Sequence, residues 1–141
     1  MKKLSSEQIE NLLTQALSAR KASYSPYSGF AVGAAILCDD GTVFRGANLE
    51  NASYPVGICA ERVALFKAVS EGHTRDLAAL ALCGGKGEAV VFCAPCGMCR
   101  QALSEFCGPE FPIIIMNENR KGYTETTLGD LLPGAFSKDV L

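Results

Sequence analysis

The sequence predicts an α/β fold of three layers, α-β-α, with a five-stranded mixed sheet in the middle. Three observations carry this. Strand-length apolar runs alternate with helical segments in the order helix, hairpin, helix, strand, helix, strand, strand, which calls for a sheet with helices on its faces. The runs at 77–83 and 111–116 are apolar throughout, as strands covered on both faces are. The last two runs are joined by a short polar turn containing Asn117, Asn119 and Gly122. A parallel crossover needs about a dozen residues or more, so this final pair should be antiparallel.

Residues 5–21 read as an amphipathic helix. Ile9, Leu12, Leu13, Ala16 and Leu17 share one face, and Ser5 with Gln8 makes a capping box. Residues 22–29 are rich in Ser, Tyr, Pro and Gly and read as a loop. Strands at 31–38 and 42–45 flank Asp39-Asp40-Gly41, a hairpin signal. Residues 48–58 are irregular. A helix at 59–71 stops at Gly72, and a buried strand follows at 77–83. Gly84-Gly85-Lys86-Gly87 reads as a loop and 89–93 as a short extended piece. Pro95 suits the first position of a helix that runs to about 107 and ends at Gly108-Pro109. Strands at 111–116 and 123–127 and a helical turn at 128–132 complete the chain. No repeat or linker divides it, so residues 1–141 form a single domain.

Composition narrows the function. The chain has 141 residues, 48% hydrophobic and 20% charged, with a formal net charge of -2. Affinity for a nucleic-acid polymer comes mainly from basic side chains, and no long Lys/Arg run exists here, which argues against such a partner. No apolar run approaches the roughly 20 residues of a membrane span, which argues against a membrane partner. Met1-Lys2-Lys3 is followed by Leu4-Ser5-Ser6-Glu7-Gln8 and not by an apolar stretch, so no leader is expected. Seven cysteines without an export signal imply reduced thiols in the cytoplasm, some of them available to a metal.

The chemistry lies in Cys59-Ala60-Glu61-Arg62 and Pro95-Cys96-Gly97-Met98-Cys99-Arg100-Gln101. Both pieces fall at expected helix starts, where unpaired N–H groups and the helix dipole favour thiolates. Three ligands, Cys59, Cys96 and Cys99, would hold one Zn²⁺ per chain and leave a fourth position open, as catalytic zinc requires. Glu61, two residues past the first ligand, is placed to act as general acid and base on a water there. Three thiolates carry more charge than the ion neutralises. Arg62 is the candidate to offset this through hydrogen bonds to sulfur, with Arg100 as the second candidate. Competing readings are a closed structural zinc module with four ligands, and an iron–sulfur cluster on Cys93, Cys96 and Cys99. The cluster motif wants its fourth cysteine where Leu103 stands. For Cys38, Cys83, Cys93 and Cys107, plain burial is expected. His73, the only histidine, reads as a solvated residue at a helix end, so no His/Cys/Cys site can form.

These residues resemble the small, homotetrameric, zinc-dependent cytidine deaminases of nucleoside salvage. Beside the two cysteine motifs, the likeness covers Phe30-Ala31-Val32-Gly33-Ala34-Ala35, Asn48-Leu49-Glu50-Asn51 and Leu132-Pro133-Gly134-Ala135-Phe136, in the family's order. The resemblance implies a cytidine deaminase-like fold. It also implies hydrolysis of cytidine and deoxycytidine to uridine and deoxyuridine plus ammonia. Glu61 would shuttle protons. Asn48 and Glu50 would bind the ribose 3′-hydroxyl, Phe30 would pack on the pyrimidine, and the Ala60 backbone would fix the base. Tyr54 and Phe136 would reach a neighbouring subunit's pocket in a homotetramer. Ala94 stands where the family usually has Ser or Thr, a position used through its carbonyl. Blasticidin S is the alternative nucleoside. Enzymes acting on bases in polynucleotides usually have His where Cys59 stands.

Overall fold

The computed structural model describes residues 3–141; Met1 and Lys2, from the basic stretch read above, lie outside the described residues. The chain forms α1 (Ser6–Ala19), β1 (Phe30–Cys38), β2 (Val43–Ala47), α2 (Ala60–Ser70), β3 (Leu77–Lys86), α3 (Gly97–Ser104), β4 (Pro112–Met116), β5 (Tyr123–Thr127) and the single turn α4 (Leu128–Leu131). The five strands make one sheet in the order β2-β1-β3-β4-β5. β3 and β4 are parallel, and the other neighbours are antiparallel, the β4–β5 pair included.

Alternation along the central strands creates the three layers. Ala35 and Leu37 of β1, Ala79 and Ala81 of β3, and Ile114 of β4 pack under Ile9, Leu12, Leu13 and Ala16 of α1. Ala34, Ile36, Leu80, Leu82, Ile113 and Ile115 point the other way, against Ala64 and Leu65 of α2 and Leu103 of α3. Strands buried on both faces explain the unbroken apolar runs.

Local signals set the helices. Ser5 caps α1 by accepting from the Gln8 amide at 3.1 Å, while the Gln8 side chain accepts from the Ser5 amide at 2.9 Å. α1 stops at Ala19 and tightens into a 3-10 turn at Arg20–Ala22. Gly46 lets α2 lie directly on β2: a Cβ there would stand 2.4 Å from the Ala60 carbonyl oxygen and 2.5 Å from the Ala64 amide nitrogen. No side chain larger than hydrogen fits that contact.

Three local expectations are corrected. Gly84, Gly85 and Lys86 are the end of β3, not a loop, and pair with Val32, Ala31 and Phe30. The two glycines lack side chains because other groups press on them; a Cβ on Gly85 would sit 2.0 Å from the Ala89 carbonyl oxygen. Residues 89–93 contribute only a bridge from Val91 to Gly84. Pro95 precedes α3, whose N-cap is Cys96, and α3 ends at Ser104.

Candidate active site

Two helix N-termini meet at the site. Cys59 is the N-cap of α2 and Cys96 the N-cap of α3, and neither thiol is spent on capping its helix. Cys99 follows three residues after Cys96 and is buried. The Cys59 and Cys96 Sγ atoms are 3.6 Å apart, as are those of Cys96 and Cys99, and all three lie within 4.8 Å of one another. Sulfurs arranged tetrahedrally at the usual Zn–S distance stand about 3.8 Å apart, so the trio fits zinc. The group contains three thiols. Cys93 lies in the neighbouring wall outside it, so this is not a closed four-thiol knot.

Electrostatics distinguish the three sulfurs. Hydrogen bonding from Cys99, then from Arg62 and Cys96, lowers the Cys59 thiol to about 5 despite its partial burial. Cys99, donating to that sulfur and buried, is pushed the other way. Arg62 Nη2 donates to Cys59 Sγ at 3.7 Å. Burial works against charge on Arg62, but hydrogen bonds to Cys59 and Cys99 overcome it and hold the guanidinium protonated. Its Nε is buried with no partner, one more donor on this cation. Arg100 does not share the task. It donates to the Pro95 carbonyl at 2.7 Å and the Leu131 carbonyl at 2.7 Å, tying α3 to the C-terminal segment.

Glu61 sits in the first turn of α2 and is 4% exposed. Burial lifts its carboxyl to about 7, with the nearby Cys59 charge adding to the effect; its own amide and the Cys99 thiol pull it back. A carboxyl poised near neutrality can both take and give a proton.

Glu61, Cys59 and Cys96 line a cavity of about 420 Å³, with Cys99 buried behind them. Asn48, Glu50, Tyr54 and Ala60 also line it. Asn48 is nearly saturated. Its Oδ1 accepts from the Val32 amide at 2.9 Å and from Ser23 Oγ, and its Nδ2 donates to the Phe30 carbonyl at 2.8 Å. One N–H remains to offer. Glu50 Oε1 accepts from the Tyr27 and Ser28 amides at 2.9 and 3.1 Å, and Oε2 accepts from Ser28 Oγ. The Ser28 hydroxyl, foremost, holds the Glu50 carboxyl below its ordinary range.

Two expected residues stand apart. Phe30, half-buried at the start of β1, lies over Gly84 of β3, beside Val32 of the cavity wall. Phe136 is exposed, its carbonyl accepting from Gln101 Nε2 at 2.9 Å. Sequence reasoning missed Ser23, Tyr27 and Ser28, which hold Asn48 and Glu50. The loop composition at 22–29 announced a turn, but nothing in it pointed to partners more than twenty residues away. It missed Cys93 as a wall residue as well.

Residues 6–115 match the family model described as the cytidine and deoxycytidylate deaminase zinc-binding region. The chain belongs to that deaminase family. A cytidine deaminase of Sporosarcina psychrophila is 47% identical over 134 residues, 94% of either chain. The crystal structure of a cytidine deaminase from Burkholderia pseudomallei superposes with a TM-score of 0.82 at 43% identity, covering 90% of this chain and 98% of that one. A blasticidin-S deaminase of Bacillus cereus is 29% identical, over 77% of this chain and 78% of its own. The trio of thiols lies within the matched zinc-binding region and could hold its metal.

Proposed function

We propose that this deaminase hydrolyses cytidine and deoxycytidine to uridine and deoxyuridine, releasing ammonia, in pyrimidine nucleoside salvage. The observation that carries the reading is a buried carboxyl, Glu61, grouped with a trio of thiols, two of which line a cavity large enough for a nucleoside.

When bound by Cys59, Cys96 and Cys99, zinc supplies the Lewis acidity that makes water a nucleophile at neutral pH. Glu61 moves the protons. It takes one from the attacking water and delivers it to pyrimidine N3 as the new C4–O bond forms. A second proton then passes through Glu61 to the C4 amine, the C4–N bond breaks, and ammonia leaves. One water enters and one ammonia departs. Arg62 offsets thiolate charge from behind Cys59, and the Ala60 backbone borders the base. The spare N–H of Asn48 donates to the ribose 3′-oxygen, and Glu50 accepts from the same hydroxyl. Phe30, at the start of β1 beside the cavity-wall residue Val32, packs against the pyrimidine ring.

The same proposal includes a homotetramer in the cytoplasm with sites completed by neighbouring subunits. Its support is exposed apolar surface: Tyr54, which lines the cavity, is 77% exposed, and Val56 and Phe136 are 63% and 58% exposed. Seven free thiols suit a reducing compartment. Among the described residues, no helix is long and apolar enough to cross a membrane. Sedimentation of the purified protein tests the subunit number; a monomer refutes that part.

Ammonia release from cytidine, with and without a zinc-stripping chelator, tests the reaction. Glu61→Gln should retain zinc and lose about 10²–10⁴-fold in kcat. Near-normal turnover by that variant sinks the mechanism.

A further inference from the structure

A second group of metal-ligand side chains lies away from the cavity. Cys38, at the end of β1, Asp40, in the β1–β2 turn, and His73, just past α2, each bring one ligand atom within 4.8 Å of the others. We propose that these residues form a second divalent-cation site, of zinc type, that clasps the β1–β2 hairpin to the end of α2.

The surrounding structure holds each side chain in place. Asp40 Oδ1 accepts from the Thr42 amide at 2.9 Å, which fixes the carboxylate in the turn. Around it, the Cys38 amide donates to the Thr42 carbonyl and the Gly41 amide to the Cys38 carbonyl, both at 2.9 Å. The His73 amide donates to the Ala68 carbonyl at 3.0 Å, and its ring packs against Phe44 with centroids 5.4 Å apart. Asp76 Oδ2 lies 2.8 Å from His73 Nδ1. A metal on Nε2 would have Asp76 orienting the imidazole from behind, the usual arrangement for a ligating histidine. A metal on Nδ1 would have Asp76 as a neighbouring ligand. Either way the site includes a carboxylate beyond Asp40. His73 is therefore not the solvated cap that its position suggested.

Charge points in the same direction. Besides burial, Asp76, Asp40 and Asp39 all push the Cys38 thiol up, to about 11. The crowding of carboxylates that resists a thiolate attracts a cation, and a bound cation reverses the penalty. One thiolate, one imidazole and carboxylate oxygens are a donor set for zinc and its softer congener cadmium. Magnesium and calcium take oxygen alone.

The test is metal stoichiometry on the whole enzyme. After equilibration with buffered Zn²⁺ and gel filtration, the parent protein should carry about two zinc ions per chain. Cys38→Ser and His73→Gln should each carry about one and keep their activity on cytidine. Cd²⁺ added to enzyme whose first site is zinc-loaded should raise thiolate-to-metal ultraviolet absorbance in the parent and not in Cys38→Ser. Asp40→Asn should weaken the second ion without removing the first. One zinc per chain in the parent, or a second ion retained in both Cys38→Ser and His73→Gln, overturns the proposal.

Discussion

Glu50 takes three hydrogen bonds from Tyr27 and Ser28 and still faces the cavity. Its aim depends on a loop far away in sequence. Ser28→Ala removes the hydroxyl that holds Oε2 and should raise KM for cytidine about ten-fold with kcat little changed, the cost of one charge-assisted hydrogen bond. The comparison with 3′-deoxycytidine decides it: equal losses on both substrates would mean Ser28 is merely structural. Arg62 makes a second residue-scale prediction. Without its bond to Cys59, thiolate charge goes uncompensated. Arg62→Ala should retain zinc and lose about 10–100-fold in kcat, as changes to outer-sphere partners do. Metal analysis beside steady-state rates checks this, and an unchanged kcat in zinc-loaded protein removes the role. The proposed reacting residues were legible because Cys59, Glu61, Cys96 and Cys99 fall in short local motifs. Ser28 was not, because its partner is twenty-two positions on.

Two helices do the positioning. α2 presents Cys59 and Glu61 from its first turn, and α3 presents Cys96 and Cys99 from its own. Their N-terminal dipoles converge on the sulfurs. α2 reaches that place only because Gly46 lets its backbone lie against β2. Gly46→Ala should therefore destabilise the fold by about 3 kcal/mol, the upper end for overpacking, since backbone and not a flexible side chain is in the way. Denaturant unfolding measures it, and a change below about 1 kcal/mol would show that the helix slides freely. Element ends were the weakest part of the sequence reading. Gly84 and Gly85 carry strong loop signals, yet they continue β3 because Phe30, Cys93 and Ala89 crowd the space where side chains would be. That crowding comes from other segments and leaves no trace in the local sequence.

At the scale of the molecule, the metal centre is also a structural joint. It links the start of α2, after the hairpin, to the start of α3, between β3 and β4. Stripping zinc should abolish turnover and lower stability together. The loss should be about 4 kcal/mol for zinc held at a thousand-fold excess over its Kd, read as a fall in Tm and reversed by readdition. A Tm that ignores the chelator while activity vanishes would confine zinc to chemistry alone. The residues alone were enough to anticipate the five-stranded mixed sheet, the antiparallel final pair, a cysteine set able to hold zinc and a zinc-dependent chemistry. All of these rest on periodicity, connection length and close spacing along the chain. The folded chain decided that Asn48 has one N–H to spare, that Val32 joins the cavity wall, and that Arg62 and not Arg100 meets sulfur. It also brought Cys38 to His73 across thirty-five positions. Each of these depends on distances between segments that only packing of the three layers sets.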